Sequence, residues 1–206
     1  MTPYYERDDI TIYHGDCREI LPELEPVDLV LTDPPYGKKY ARGKHGIGAG
    51  QKWNAQHLKW DGKPDFVKEA AAAGKFAIVW GCEYFCGQLG DTKSFLVWDK
   101  QNGKNVFADC EIAWTNLTTV TKIYVKQWIG AHIAEDLFHP TQKPVAVMSW
   151  CITLSPDCKT ILDPFMGSGT TLVAAKMEGR KAIGIEIEEK YCEIAVNRLR
   201  QGVLSL

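Results

Sequence analysis

Six consecutive residues, Thr32-Asp33-Pro34-Pro35-Tyr36-Gly37, set a carboxylate, a proline-fixed backbone and an aromatic ring side by side. Proline has no N–H, so the carbonyls around Pro34 and Pro35 are left as acceptors. A rigid, acceptor-rich tip beside a ring suits a planar heterocycle that carries an exocyclic amine. Asp33 and the Pro34 carbonyl would accept from the NH2, and Tyr36 would stack on the ring, a role that asks for its ring and not its hydroxyl. The same residues would also make a plain proline-rich turn, so the rest of the chain must decide.

A second stretch, Asp163-Pro164-Phe165-Met166-Gly167-Ser168-Gly169-Thr170-Thr171, sits between an apolar run and a helical pattern. In that context Gly167 and Gly169 let the backbone approach a ligand closely. The free amides of the helix start favour an anionic group such as a carboxylate. Glu186 ends the next strand, about 20 residues after the glycines, where an acid accepts from ribose hydroxyls in dinucleotide-type folds. A third stretch is set apart by charge. Residues 38–64 carry Lys38, Lys39, Arg42, Lys44, Lys52, Lys59 and Lys63 against the single acid Asp61. With net charge only −2, any nucleic-acid surface must come from such local clustering. Trp53 and Trp60 are interleaved with the bases and could fill the gap left by a flipped base.

The elements that must position these residues alternate. Strands are expected at 10–14, 28–32, 76–80, 95–99, 110–114, 160–162 and 181–185, from their β-branched and apolar runs. Helices are expected at 18–24, 65–73 (with Gly74 as its C-terminal cap), 145–154, 170–178 and 188–200, and a further extended hairpin segment at 119–128. Such alternation argues for an α/β sheet covered by helices on both faces. At the point where strand order reverses, ligands bind outside the carboxyl ends of the strands. That brings the glycine loop and the Asp33 tip together across some 130 residues. The expected sheet order, by first residue, is Ile10, Lys181, Thr160, Asp28, Phe76, Cys110, Phe95. The tryptophans of the middle, Trp80, Trp98, Trp114 and Trp128, are expected mostly in the sheet core.

Composition narrows the class. At 206 residues the chain fits one domain, 1–206, with a substantial core. Seven cysteines at irregular spacings make no disulfide framework and fit a reducing cytoplasm. Cys82 and Cys86 are the closest pair and lack a matching second pair, so no metal is expected. The first residues have no apolar core of a signal peptide, and no apolar run approaches the ~20 residues of a membrane span.

Together the blocks Gly15-Asp16-Cys17, Thr32 to Gly37, His139-Pro140-Thr141-Gln142-Lys143-Pro144, Asp163 to Thr171 and Gly184-Ile185-Glu186 resemble the S-adenosylmethionine-dependent adenine-N6/cytosine-N4 DNA methyltransferases. The match is to the circularly permuted group, in which the DPPY block precedes the cofactor glycine loop. The resemblance implies a Rossmann-like methyltransferase fold: a mostly parallel seven-stranded sheet with one antiparallel strand. It implies Asp33, Pro34, Pro35 and Tyr36 as the catalytic block and S-adenosyl-L-methionine as cofactor. Asp16 would face the cofactor's adenine amine with the Cys17 amide near the same ring, while Glu186 holds the ribose and Ile187 packs on the adenine. Asp163, Phe165, Gly167, Ser168, Gly169 and Thr170 would hold the methionine part, with Thr141 and Lys143 nearby. Double-stranded DNA would lie over the tip, on Lys38, Lys39, Arg42, Lys44 and Trp53, with residues 100–138 as the other candidate surface.

One departure is that little room is left for a target-recognition region. Asp at the first catalytic position leans towards adenine, Ser being more typical of the cytosine-N4 enzymes. Methylation of RNA or of a protein amide, more often marked by Asn-Pro-Pro-Tyr, is a further reading, and a silent DNA-binding relative another. A homodimer and pairing with a restriction endonuclease stay open.

Overall fold

The computed structural model describes residues 1–37, 63–103, 108–127 and 142–201. Among them nine strands form one sheet. Its order is β1 (Tyr5–Arg7), β2 (Ile10–His14), β9 (Lys181–Glu186), β8 (Thr160–Asp163), β3 (Val27–Thr32), β4 (Gly74–Trp80), β6 (Cys110–Thr115), β5 (Ser94–Asp99), β7 (Lys122–Val125). The seven expected strands are present in the expected order, with two short strands added at the edges. Two strands rather than one run against the rest, β1 against β2 and β6 between β4 and β5. The segment at 119–128 supplies β7, which pairs in parallel with β5 and is not a hairpin partner of β6. Both sides of β6 are already taken, so the outer edge of β5 is the free ladder.

Alternation along the strands explains the two layers of helix. Leu29 and Leu31 of β3, Ile78 and Trp80 of β4 and Ile161 of β8 point to one face. There they meet α4 (Val145–Thr153), α5 (Thr170–Met177) and α6 (Glu189–Arg200) through Met148, Ile152, Leu172, Ala195 and Leu199. Val30, Ala77, Val79 and Leu162 point to the other face. They meet α1 (Cys17–Ile20), α2 (Val67–Ala72) and α3 (Cys86–Leu89) through Ile20, Val67, Ala71 and Leu89. Trp80 and Trp98 are core residues and Trp114 is half-buried, while Trp128 lies outside the described residues. Gly74 does not cap α2 but opens β4, where a side chain would collide with the backbone of Val30 on β3. Among the described residues no helix is long and apolar enough to cross a membrane.

The central pair, β3 and β8, is fixed at both ends. At the amino end the Asp28 carboxylate accepts from the Lys159 and Thr160 amides at 2.8 and 2.9 Å and from the Thr160 hydroxyl. These bonds lower its pKa, so the pin is ionised at neutral pH. At the carboxyl end the Thr32 hydroxyl donates to Asp163 at 2.7 Å.

Candidate active site

Four parallel strands, β2, β9, β8 and β3, deliver their carboxyl ends to one edge, and four of the five sequence blocks lie at those ends, the exception being the His139–Pro144 block ahead of α4. From β8, Asp163 turns inward. It is buried and accepts from Thr32, from the Thr171 hydroxyl at 2.5 Å and from the Phe165 amide at 3.1 Å. Burial nevertheless raises its pKa to about 6. Asp163 therefore shapes the loop from within, and its carboxylate is spent on the fold.

Gly167 and Gly169 both take positive φ, 51° and 79°, the region that favours glycine. A Cβ on Gly169 would lie 2.7 Å from that of Ala195, whereas a Cβ on Gly167 would meet nothing within 4 Å among the described residues. The first glycine thus serves an open space and the second lets α6 pack against the turn. Arg198 donates to the Ser168 carbonyl at 2.7 Å and to the Thr170 hydroxyl at 3.1 Å. The Ser168 hydroxyl donates to Gln142 Oε1 at 3.1 Å.

From β9, the Glu186 carboxylate accepts from the Gly167 amide at 3.0 Å and the Glu188 amide at 2.8 Å. Burial raises its pKa to about 7 against those bonds. Beside it Ile187 is 51% exposed, an apolar side chain left uncovered at the strand end. Gly15 donates to the Glu186 carbonyl at 2.9 Å, which brings Asp16 and Cys17 alongside. Asp16 caps α1 by accepting from the Arg18 amide, and the Arg18 side chain grips the same carboxylate and lowers its pKa. The Cys17 thiol is buried and pushed up to about 12, so it is inert and only its backbone can serve a ligand. Phe165 lies against Phe66 with centroids 5.6 Å apart, and the Arg18 guanidinium sits over Phe66 at 5.7 Å.

From β3 comes the Asp33 tip. The Tyr36 hydroxyl donates to Asp33 Oδ1, and Lys143 Nζ donates to Asp33 Oδ2 at 2.7 Å and to the Tyr36 oxygen at 3.2 Å. The Tyr36 ring stacks on Tyr84 at 4.7 Å and passes over Gly81, where a Cβ would fall 2.1 Å from the ring. The Tyr36 hydroxyl, which stacking on a base does not require, is therefore engaged with the acid.

The largest departure from expectation is Lys143. It is placed on Asp33 and Tyr36, while its neighbour Gln142 reaches the glycine loop; adjacent residues thus touch both halves of the site. Lys143 also lies 2.7 Å from Glu111 of β6, whose other oxygen pairs with Lys100. Burial alone would lower Lys143, but Asp33 and Glu111 override it and hold its ammonium well above the usual lysine range. Burial raises Asp33 above the usual carboxylate value, and Lys143 offsets part of that rise. Glu111 and Lys100 belong to no motif; the only signal was a charge inside the apolar run Cys110-Glu111-Ile112-Ala113-Trp114. Thr141, Lys38, Lys39, Arg42, Lys44 and Trp53 lie outside the described residues.

A family model described as DNA methylase, for the N6 and N4 enzymes, matches residues 68–197. The chain is 31% identical to the type II methyltransferase M.ScaI of Streptomyces caespitosus, over 99% of this chain and 86% of that protein. It is 45% identical to a protein of Escherichia coli (strain K12) named as a methylase, YubD, over 90% and 88% of the two chains. Among solved structures it resembles that of the M1.HpyAVI–SAM complex, with a TM-score of 0.64, 27% identity and coverage of 92% and 98%. The chain belongs to the N6/N4 DNA methylase family, and its sheet is that of the S-adenosylmethionine-dependent methyltransferases.

Proposed function

We propose that this DNA methyltransferase carries the methyl group of S-adenosylmethionine to the N6 amine of adenine in double-stranded DNA. The observation that carries the reading is the meeting of an acceptor tip and a glycine-loop pocket at one sheet edge, joined by the Thr32–Asp163 bond.

The residues fit the cofactor. Gly167 faces open space, Glu186 offers a carboxylate beside it, and Ile187 is an uncovered apolar platform. Ser168, Gly169 and Thr170 would present the loop's backbone to the methionine part, and Asp16 with the Cys17 amide would edge the adenine. When bound, S-adenosylmethionine supplies a methyl already activated on a sulfonium.

The protein's task is then placement and charge. An exocyclic amine is conjugated into its ring and is a poor nucleophile. Accepting its two hydrogens at Asp33 and the Pro34 carbonyl pulls the nitrogen towards tetrahedral geometry and frees the lone pair. Positive charge grows on that nitrogen as the bond forms, and the same acceptors stabilise it. Pro35 holds the tip rigid. The target base must leave the duplex to reach the tip, and residues 38–64, with Lys38, Lys39, Arg42, Lys44 and Trp53, are the DNA surface best supplied with charge. The seven free thiols suit the cytoplasm, and likeness to type II enzymes favours a restriction endonuclease as functional partner.

Incubating the protein with labelled S-adenosylmethionine and duplex DNA, then resolving nucleosides by mass spectrometry, tests this reading. N6-methyladenine is expected. Asp33→Ala should lose about a hundredfold or more in transfer rate while keeping cofactor affinity, because its acceptor role is strongest in the transition state. N4-methylcytosine would reverse the base assignment, and unmodified DNA with bound cofactor would overturn the reading.

A further inference from the structure

We propose that Glu111, on β6 and outside every sequence motif, is a positioning residue: backed by Lys100, it holds Lys143, which in turn fixes the Asp33 carboxylate. The proposal rests on the reading of Asp33 as the amine acceptor.

Four charges of alternating sign run in a line from the end of β5 to the tip of β3: Lys100, Glu111, Lys143, Asp33. Their side chains are 10%, 25%, 5% and 17% exposed. Taking such groups out of water is costly, and the cost is met only when each has its counter-charge. Lys143 is the middle link. Among the described residues it donates to Asp33 and Tyr36, and Glu111 Oε2 stands 2.7 Å from it as an ion partner. The Trp80 ring lies 5.5 Å from the same ammonium, and the Trp80↔Ala113 register fixes Glu111 relative to that ring. Among the described residues, the titratable and charged groups around Lys143 are Asp33 and Tyr36 from the β3 tip, Glu111 from β6 with Lys100 behind it, and the Cys151 thiol from α4. Further in, on β8, Asp163 feels the charge of Asp33, which adds to the rise of its pKa.

The consequence is that two carboxylates share one ammonium. Lys143 favours the ionised, accepting form of Asp33, and Glu111 opposes it through charge while anchoring the lysine in place. Lys143→Met and Glu111→Gln should therefore move the acid limb of the methyl-transfer rate in opposite directions. The first should move it to higher pH and the second to lower pH. A residue that merely packs would move neither.

Glu111→Gln should also lower the plateau rate, by up to about a hundredfold if the Lys143–Asp33 geometry shifts by about 1 Å. Cofactor affinity should stay within about twofold, since the loss lies in the reacting geometry and not in binding. The test is single-turnover transfer against pH for the wild type and both variants, with calorimetry of cofactor binding. In parallel, carboxyl-carbon NMR titration of Asp33, assigned with Asp33→Asn, reads the same displacements without turnover. Should Lys143→Met not fold, the Glu111→Gln plateau rate decides alone. If the wild type methylates no DNA the functional reading fails, and the NMR titration still decides this one. An Asp33 titration unmoved by either substitution, or a Glu111→Gln plateau equal to wild type in an active enzyme, overturns the proposal.

Discussion

Replacing Asp163 with asparagine isolates the cost of one buried charge. The side chain is 3% exposed, and its oxygens divide their work: Oδ1 takes the Thr32 hydroxyl and the Phe165 amide, Oδ2 takes the Thr171 hydroxyl. An asparagine oxygen can keep the first two bonds. Its NH2 can donate to the Thr171 oxygen once that hydroxyl rotates, so the variant should retain the loop. What changes is titration. Burial raises the folded pKa from 3.8 to about 6, so the folded state binds this proton more tightly than the unfolded chain. Such a raised acid stabilises fully below the unfolded value, and that stability is lost as pH rises through the folded value.

A gap of about two units at 1.36 kcal/mol each gives roughly 3 kcal/mol lost by the wild type above about pH 6. Asparagine has no proton to lose. Urea unfolding of both proteins from about pH 4 to pH 8 should show the variant gaining on the wild type across the window between about 4 and 6, with the gap constant above it. A stability difference independent of pH, or a variant less stable than wild type at pH 8, would refute the reasoning.

Two glycine substitutions test the geometry of the site. Gly81→Ala places a Cβ 2.1 Å from the Tyr36 ring at φ 66°. It should cost about 1–2 kcal/mol in backbone strain and, by displacing the ring that bonds Asp33, about a hundredfold in transfer rate. Gly87→Ala, with nothing within 4 Å, is the control, and wild-type turnover in Gly81→Ala would show that Tyr36 need not stay where it is. In the loop, Gly169→Ala should lower the melting temperature through its clash with Ala195. Gly167→Ala, facing open space, should lose more cofactor affinity than stability, and calorimetry beside thermal unfolding separates the two.

The sequence was legible where local chemistry and periodicity coincide. Apolar and β-branched runs marked seven strands, several of them ended by proline or glycine, and their alternation with helices was enough to order them. The edges were less legible: Tyr5-Glu6-Arg7 is short and charged, and the extended segment at 119–128 gave no sign that Lys122-Ile123-Tyr124-Val125 pairs in parallel with β5, the ladder that remains open. The same limit hid the partners of Asp33. Lys143 and Glu111 stand 110 and 78 positions away in the chain, and only the β4–β6–β5 register brings Glu111 and Lys100 to the tip. The sequence points only to the ring of Tyr36; that its hydroxyl meets Asp33 is a matter of rotamer and of the space over Gly81.

The two Asp-Pro pairs show how register divides like sequences into unlike roles. Asp33-Pro34 and Asp163-Pro164 both close a buried parallel strand, and nothing in the dipeptides tells them apart. Pairing of Val30 with Leu162 puts Asp163 level with Leu31, two residues short of Asp33. Asp163 consequently stays within the layer of the sheet, where a carboxylate persists only by collecting local donors, and it collects three. Asp33 projects past that layer to the rim, where its charge is met by a lysine from far along the chain and where, on the proposed reading, a base amine would approach. The acid that the fold keeps and the acid that the proposed chemistry uses are thus separated by two residues of stagger between neighbouring strands. The Thr32 hydroxyl, between Leu31 and Asp33, ties one to the other.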